Sequence, residues 1–219
     1  MEVYLDNAAT TPAFDEVIEI SAKVMGEDYG NPSSLHNKGL DAEHYIRDSK
    51  DIISKILKCD PKEIVFTSGG TESNNMAIIG AARAKSRRGK HIITSSVEHS
   101  SVKNVMEFLE KDGYEITYLP VDEKGIVRLD ELKKSIREDT ILISVMGVNN
   151  EVGAIEPLED IANAIKESGR DIIFHVDAVQ MYGKLPVYPS RLGIDLMSVS
   201  GHKLHGPKGV GFLFIRDGV

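Results

Sequence analysis

Short apolar runs alternate with amphipathic segments along most of this chain, and that alternation limits the folds it can adopt. The predicted strands are Ile64–Ser68, His91–Ser95, Ile116–Val121, Ile141–Val145, Ile172–Val176, Leu196–Ser200 and Val210–Ile215. Helical patterns lie between most of them, at Glu72–Ala84, Ser101–Lys111, Asp130–Glu138 and Pro157–Ser168. Because such alternation covers both faces of a parallel sheet with helices, the sequence predicts an α/β fold with a mostly parallel, seven-stranded sheet between helices.

The connection between the last two predicted strands departs from this alternation. The segment 201–209 that joins them is too short for a crossover helix, so we predict that the last strand is antiparallel or inserted elsewhere in the sheet. Two more helices, Asp15–Glu27 and Asp41–Lys58, are predicted before the first strand. The expected organisation is a polar N-terminal arm over residues 1–14, followed by one domain over residues 15–219.

Composition narrows the classes of partner. The chain has 26 basic and 34 acidic residues, a formal net charge of -8, which argues against nucleic acid as the main ligand. A single cysteine allows neither a disulfide framework nor a zinc cluster within the chain, and no metal site is expected. There is no apolar run of membrane-spanning length and no apolar block near the first residue, so we expect a cytoplasmic protein without a membrane partner.

A lysine stands just past a predicted strand, in a turn rich in glycine. Lys203 follows the apolar run Ile194–Val199, and three glycines come within the next residues. A glycine-rich backbone can fold tightly around a cofactor, and a desolvated amine loses its proton readily, as a Schiff-base lysine requires. A surface lysine in a loop is the alternative interpretation, and the residues after the other strands bear on the choice.

Ligands of open α/β sheets collect at the carboxyl ends of the strands, so the residues that follow each strand are candidates for a site. After the first predicted strand, the segment Gly69-Gly70-Thr71-Glu72-Ser73-Asn74 opens a helix. Its free backbone N–H groups, its hydroxyl groups and the helix dipole favour a bound phosphate. A tight turn without a ligand is the alternative.

Three further strand ends carry polar side chains. His99 could stack on a planar ring or move a proton, or could stand beside serines that cap a helix. Asn150 could hydrogen-bond a ligand or take part in an Asx turn. Asp177 ends a buried strand, where a carboxylate needs a partner such as the protonated ring nitrogen of pyridoxal phosphate, and Gln180 could reach the phenolic oxygen of that ring.

Taken together, these motifs resemble those of a known family. The sequence resembles the pyridoxal-phosphate-dependent cysteine desulfurases of the aminotransferase class-V family, of the type that supplies sulfur for iron–sulfur clusters. The matching stretches are 4–12, 30–34, 66–74, 98–99, 148–153, 175–180 and 198–211. The most specific are Ser200-Gly201-His202-Lys203 and Gly206-Pro207-Lys208-Gly209. The resemblance implies the large domain of a fold-type-I enzyme, with pyridoxal 5'-phosphate as cofactor and L-cysteine as substrate.

The resemblance also implies roles for the candidate catalytic residues. Lys203 would form the Schiff base with the cofactor, and Asp177 would pair with its pyridinium nitrogen. His99 would stack on the ring and assist proton transfer, and Gln180 would bind the phenolic oxygen. Alanine and a protein persulfide would be the products.

The other implied roles concern the phosphate, the substrate and the arm. The residues implied to hold the phosphate are Gly70, Thr71, Ser200 and His202. Asn150 would lie near the cofactor oxygen and the substrate carboxylate. The residues implied on the substrate side of the arm are Asn7, Ala8 and Thr10. The implied partners are a second copy of the chain in a homodimer, and an iron–sulfur scaffold protein or a separate chain that supplies a C-terminal domain.

The chain departs from the family's pattern in one respect. Family members carry the sulfur-accepting cysteine and a carboxylate-binding arginine in a second, C-terminal domain, which is absent from these 219 residues. Cys59 lies upstream of the glycine turn, and we interpret it as structural. Three hypotheses stay open: the cofactor domain of a desulfurase, another enzyme of this fold such as an aminotransferase or β-lyase, or a non-catalytic binding or scaffold module.

Overall fold

One seven-stranded sheet organises the structure, a computed structural model that describes residue 1 and residues 3–219. The strands are β1 (Ile64–Thr67), β2 (His91–Ser95), β3 (Glu115–Leu119), β4 (Thr140–Met146), β5 (Ile173–Asp177), β6 (Leu196–Ser200) and β7 (Gly211–Ile215). Their order across the sheet is β1-β7-β6-β5-β4-β2-β3. The expectation for the last strand is confirmed, because β7 is inserted between β1 and β6 and runs antiparallel to both, while the remaining pairs are parallel.

Helices cover both faces of this sheet. They are α1 (Asp15–Gly26), α2 (Asn37–Leu57), α3 (Gly70–Lys85), α4 (Ser100–Lys111), α5 (Leu129–Ser135) and α6 (Leu158–Glu167). Neighbouring strand residues point to opposite faces, so Ile92 packs in the core with α3 and α4 while Ile93 packs in the core with α5 and α6. The predicted α/β architecture is therefore confirmed.

The antiparallel insertion of β7 determines what meets at the carboxyl edge of the sheet. Gly211, the first residue of β7, pairs with Thr67 at the end of β1 and with Ser200 at the end of β6. The glycine turn after β1 and the lysine turn after β6 consequently lie on either side of one strand. An alanine Cβ at Gly211 would lie 2.7 Å from the Cα of Gly69, so glycine lets the turn sit directly against the strand.

Two helices begin at least two residues earlier than the sequence predicts. The helix α3 starts at Gly70 instead of Glu72, with Gly69 as its N-cap at a φ of 146°, which a residue with a side chain rarely adopts. The helix α2 starts at Asn37 instead of Asp41. Its first turn is capped by the imidazole of His36, which accepts a hydrogen bond from the backbone N–H of Gly39.

The apolar stripe of α2 is only partly covered. Ala42 and Leu57 are buried, whereas Ile46, Ile52 and Ile56 are 40%, 59% and 54% exposed. None of the residues of α1 is buried. These two helices therefore present apolar side chains to the outside of the chain.

Two features are absent among the described residues. None of their helices has the length and apolar character needed to cross a lipid bilayer. They also form no cluster of three or more histidine, cysteine or carboxylate side chains suited to a metal ion.

Two glycine substitutions test how closely the turn after β1 packs. Gly211→Ala places its Cβ 2.4 Å from the carbonyl oxygen of Val199, so backbone must shift, and we expect unfolding to become easier by about 1–3 kcal/mol. Gly80→Ala lies in an exposed part of α3 with no atom within 4 Å of the new Cβ, and is expected to stabilise by up to about 1 kcal/mol. Urea denaturation followed by circular dichroism measures both, and equal stabilities would contradict the proposed packing.

Candidate active site

A cavity of ≈ 370 Å³ opens at the carboxyl edge of the sheet, where the turns after five strands converge. It is lined by these predicted site residues: Gly70, Thr71, His99, Asn150, Asp177, Gln180, Ser200 and Lys203. They come from the last residues of β5 and β6 and from the segments that follow β1, β2, β4, β5 and β6. The structure thus brings together residues that lie as far apart in the sequence as Gly70 and Lys203.

Asp177 supplies a buried carboxyl group at this cavity. The residue is 5% exposed, and one of its oxygens accepts a hydrogen bond from the backbone N–H of Val179 at 3.0 Å, the other from the amide of Asn74 at 2.7 Å. Burial raises the pKa of the Asp177 carboxyl, and these two hydrogen bonds and the nearby amine of Lys203 oppose the rise. A cation at this end of the cavity would find a carboxylate already held in place.

Lys203 supplies an amine whose proton is weakly held. It ends the short 3-10 turn that follows β6, and its Nζ donates hydrogen bonds to the carbonyl oxygens of Ala8 and Ala9 in the arm. Burial and the neighbouring charge of Lys184 lower the pKa of Lys203, against the opposite pull of Asp6 and Asp177. An amine with a lowered pKa is a better nucleophile near neutral pH.

The first turn of α3 has the properties of an anion site. Its N-cap, Gly69, has no side chain to bond the free N–H groups, and Gly70 and Thr71 both line the cavity. The carboxylate of Glu72, in the same turn, accepts a hydrogen bond from the backbone N–H of Ser68. Ser200 faces this turn from the end of β6, with its Oγ 3.5 Å from the Cβ position of Gly69. N–H groups, hydroxyls and a helix N-terminus are the donors that a phosphate needs.

His99 borders the cavity, and its implied stacking and proton-transfer roles stay predictions. It lines the cavity and is itself the N-cap of α4, because its Nδ1 accepts a hydrogen bond from the backbone N–H of Ser101 at 3.1 Å. The serines beside it do not provide the cap. Its ring is therefore fixed at the start of a helix while it borders the cavity.

Gln180 and Asn150 also line the cavity, each engaged by a neighbour. The Nε2 of Gln180 donates to the carbonyl oxygen of Ala8 at 2.7 Å, and its Oε1 accepts from Nζ of Lys184 at 3.0 Å. The amide of Asn150 donates to the carboxylate of Glu151 at 2.8 Å. Their implied contacts with a cofactor oxygen and a substrate carboxylate stay predictions.

His202 is not among the residues that line the cavity. Its Nδ1 lies 3.1 Å from the hydroxyl of Thr10, and its carbonyl oxygen accepts hydrogen bonds from the backbone and the hydroxyl of Thr11. In this structure His202 holds the N-terminal arm, and its implied contact with the phosphate stays a prediction. Within the arm, Ala8 lines the cavity as expected, together with Asp6 and Ala9, whereas Asn7 and Thr10 do not.

Cys59 lies away from this cavity. It is partly buried and packs against the core beneath α5 and α6. Burial, with the negative charges of Glu63 and Asp60, raises the pKa of the thiol to about 11. The thiol is therefore protonated and weakly nucleophilic near neutral pH.

The sequence patterns assign no individual role to three polar residues near the site. Asn74, Ser101 and Glu98 are at most 8% exposed. The carboxyl group of Glu98 joins the ends of β2 and β4 by accepting hydrogen bonds from Ser95 and from the backbone of Met146, and burial raises its pKa to about 8. The sequence feature that could have identified Asn74 is helical periodicity, because Asn74 occupies a core-facing position of α3. A polar side chain at such a position needs a buried hydrogen-bond partner.

Comparison with known proteins defines the class of this fold and site. The sequence profile of the aminotransferase class-V family matches residues 3–219. The chain is 55% identical over 217 residues to the cysteine desulfurase IscS of Dictyoglomus turgidum, covering 99% of this chain and 55% of that protein. The chain therefore belongs to the aminotransferase class-V family.

Solved structures agree with that assignment. A NifS-like protein superposes with a TM-score of 0.97 at 43% identity, covering 100% of this chain and 60% of that one. The structure of SspA in complex with cysteine superposes with a TM-score of 0.94 at 41% identity, covering 99% of this chain and 62% of that one. The chain spans about half the length of the curated relatives it matches.

Members of this family depend on pyridoxal 5'-phosphate, and the cavity has the groups that this cofactor requires. An uncapped helix N-terminus matches the phosphate, a buried carboxylate matches the ring nitrogen, and a lysine of lowered pKa matches the aldehyde. Gly70, Asp177 and Lys203 are the residues that would hold these three parts.

The effect of Lys184 on Lys203 can be measured directly. Lys184→Met removes a neighbouring positive charge, so the pKa of Lys203 is expected to rise toward its ordinary value. The rate at which trinitrobenzenesulfonate modifies Lys203, followed against pH by peptide mass spectrometry, reports that pKa. Lys208→Met, on the exposed part of the same loop, is the matched control and should leave the profile unchanged. Identical profiles for Lys184→Met and the unaltered chain would show that this charge has no influence.

Proposed function

We propose that this chain is the cofactor-binding part of a cysteine desulfurase that moves sulfur from L-cysteine to a protein thiol and leaves L-alanine. The observation that carries the proposal is the meeting of Lys203, Asp177 and the open first turn of α3 at one cavity. The names of the relatives support the choice of substrate: one is a cysteine desulfurase, and another was solved in complex with cysteine.

Each residue of the cavity has a part in this reaction. The first turn of α3 binds the phosphate through the backbone N–H groups of Gly70 and Thr71. Asp177 keeps a proton on the ring nitrogen, and pyridoxal 5'-phosphate, when bound, supplies an electron sink for the pair released at the substrate α-carbon. Nζ of Lys203 accepts the α-proton, and the burial that lowers its pKa favours the neutral amine that this step needs. His99 borders the same space and moves a second proton.

Sulfur transfer needs a thiolate in addition to these groups. The thiolate attacks the sulfur of the substrate cysteine, an S–S bond forms, and the C–S bond breaks. Its electron pair passes to the substrate carbon, which takes up a proton and gives alanine, while the acceptor becomes a persulfide. Cys59 does not serve as this thiolate, because it lies outside the cavity and its thiol has a raised pKa. The acceptor thiol therefore belongs to a part of the protein or to a partner beyond these residues.

A product assay on the protein loaded with pyridoxal 5'-phosphate tests this function. With L-cysteine and an added thiol, alanine and sulfide should form in equal amounts. Lys203→Ala should lower the rate by about 10²- to 10⁴-fold, because it removes a positioned proton acceptor.

Lys208→Ala and Cys59→Ser are the controls and should retain the rate, since neither residue lines the cavity. Pyruvate and ammonia in place of alanine would identify a β-lyase. Amino transfer to a keto acid would identify an aminotransferase. Either result would replace the proposal.

The proposal extends to assembly and location. Apolar side chains stand exposed on α1 and α2, among them Ile18 at 55% and Met25 at 74%. Exposed apolar patches of this kind are usually covered by association, which supports a homodimer. An iron–sulfur scaffold protein is proposed as the recipient of the sulfur, and the cytoplasm, consistent with the single cysteine, as the location.

Substitutions on α2 test the homodimer. Ile52→Glu together with Ile56→Glu replaces two exposed apolar side chains by charges, and is expected to shift the protein from dimer to monomer in sedimentation velocity. Lys55→Glu changes the charge of the same helix without removing apolar surface, and should leave the dimer intact. A wild-type protein that sediments as a monomer would overturn this part of the proposal.

A further inference from the structure

A chain of hydrogen bonds runs beneath the cavity from Asp177 to His99. The Nδ2 of Asn74 lies 2.7 Å from Oδ2 of Asp177 and 2.9 Å from Oγ of Ser101. The same Oγ lies 2.8 Å from Nδ1 of His99. Asn74 is 0% exposed, and Ser101, which is 8% exposed, itself lines the cavity. These bonds join Asp177 and His99 through two residues to which the proposed reaction gives no role.

The identity of each donor in this chain follows from counting hydrogens. In its ionised form Asp177 can only accept, so the amide of Asn74 then turns its NH₂ group toward Asp177 and gives its second hydrogen to Oγ of Ser101. The hydroxyl of Ser101 then has its own hydrogen to donate, and Nδ1 of His99 is within reach. The backbone N–H of Ser101 also points at Nδ1, at 3.1 Å. Because two donors converge on Nδ1, the neutral ring carries its hydrogen on Nε2.

We propose that Asn74 and Ser101 are positioning residues that couple the ionised state of Asp177 to the Nε2–H tautomer of His99. Asn74 sets the direction of every hydrogen in the chain, because its NH₂ group faces both Asp177 and Ser101. The hydroxyl of Ser101 accepts a hydrogen bond from Asn74 and donates its own hydrogen to Nδ1 of His99. The value of the coupling for catalysis rests on the desulfurase function proposed above.

The assigned orientation of Asn74 leaves one of its polar atoms without a partner in the part of the chain that the structure describes. Its Oδ1 is buried and has no hydrogen-bond partner among the described residues. The flipped amide would give Oδ1 a donor in Ser101, but would set a carbonyl oxygen against the Asp177 carboxylate. The bond to a charged acceptor is the stronger of the two, so the amide keeps its NH₂ group on Asp177 and leaves Oδ1 unpaired. The charge of Asp177 therefore determines the orientation of the amide.

Coupling of this kind serves two requirements of the reaction. Asp177 must remain ionised in a buried place, and the donated hydrogen of Asn74 favours the charged form. His99 must present a fixed nitrogen to the cavity, and the two donors on Nδ1 leave Nε2 as the one that carries the hydrogen. A single amide thus acts on both groups.

The hydrogen-bond chain from Asp177 through Asn74 and Ser101 to His99 is called the relay below. Nitrogen-15 NMR of the histidine-labelled chain, without cofactor, tests it separately from any enzymatic activity. His99→Gln assigns the His99 resonances, and long-range proton–nitrogen correlations identify the tautomer. We expect Nε2–H in the unaltered chain. Ser101→Ala removes one of the two donors on Nδ1 and should raise the proportion of the Nδ1–H form about fivefold. Ser101→Thr keeps the hydroxyl and should restore the original ratio.

Asn74→Ala is expected to move the same resonance, although it touches neither nitrogen of the ring, because it frees the Ser101 hydroxyl to rotate. Ser73→Ala is the matched control: it removes a buried hydroxyl of α3 that bonds Thr67, and should leave His99 unchanged. The relay is wrong if His99 carries its hydrogen on Nδ1, or if Ser101→Ala leaves both the tautomer ratio and the Nδ1 resonance unaltered.

A second measurement connects the relay with the reaction. In the protein loaded with pyridoxal 5'-phosphate, Ser101→Ala should slow exchange of the cysteine α-proton in heavy water by roughly tenfold, a part of what a positioned proton-transfer group contributes. Absence of exchange in the unaltered protein would count against the proposed function, and the NMR result would still decide the relay. A changed tautomer with unchanged exchange would overturn the catalytic value of the coupling.

Discussion

The carboxylate of Asp177 is the constraint on which the rest of the site depends. A negative charge at the end of a buried strand is unstable unless donors and cations surround it. The backbone of Val179 and the amide of Asn74 provide the donors, and Lys203 provides a nearby cation. Each of these comes from a different element. The helix α3, the turn after β5 and the turn after β6 must therefore lie next to one another before the charge is stabilised.

The antiparallel insertion of β7 produces part of that arrangement, the placement of the turn after β6 beside the turn that opens α3. In a purely parallel sheet, the strand beside β6 would begin at the opposite edge. Because β7 runs the other way, residues 201–210 turn back at the carboxyl edge and keep Lys203 beside the cavity. The same strand pairs with β1, which places the glycine turn next to the lysine turn. The absence of a side chain at Gly211 then lets Gly69 approach.

Local patterns predicted the sheet well, because the strands are apolar and the helices periodic. The bounds of β2 and β6 were predicted to the residue, and the reversed direction of β7 followed from the shortness of its connection. The start of α2 was missed, since histidine is an uncommon N-cap. Strand-end residues such as Lys203 and Asp177 were predictable because open sheets bind ligands at that edge. Asn74 was not, because its importance arises from a partner 103 positions away.

The N-terminal arm connects the surface of the chain to the site. The arm is bonded to the lysine turn, where Thr11 joins the backbones of His202 and His205, and Phe14 stacks on the ring of His205 at 4.2 Å. The carbonyl groups of Ala8 and Ala9 accept the Lys203 amine.

The helix that follows the arm, α1, contributes no buried residue, so the arm owes its order to these few contacts rather than to the core. Hydrogen bonds run from the arm to the turn that carries Lys203, so the position of α1 and the position of the reactive amine are connected through the arm.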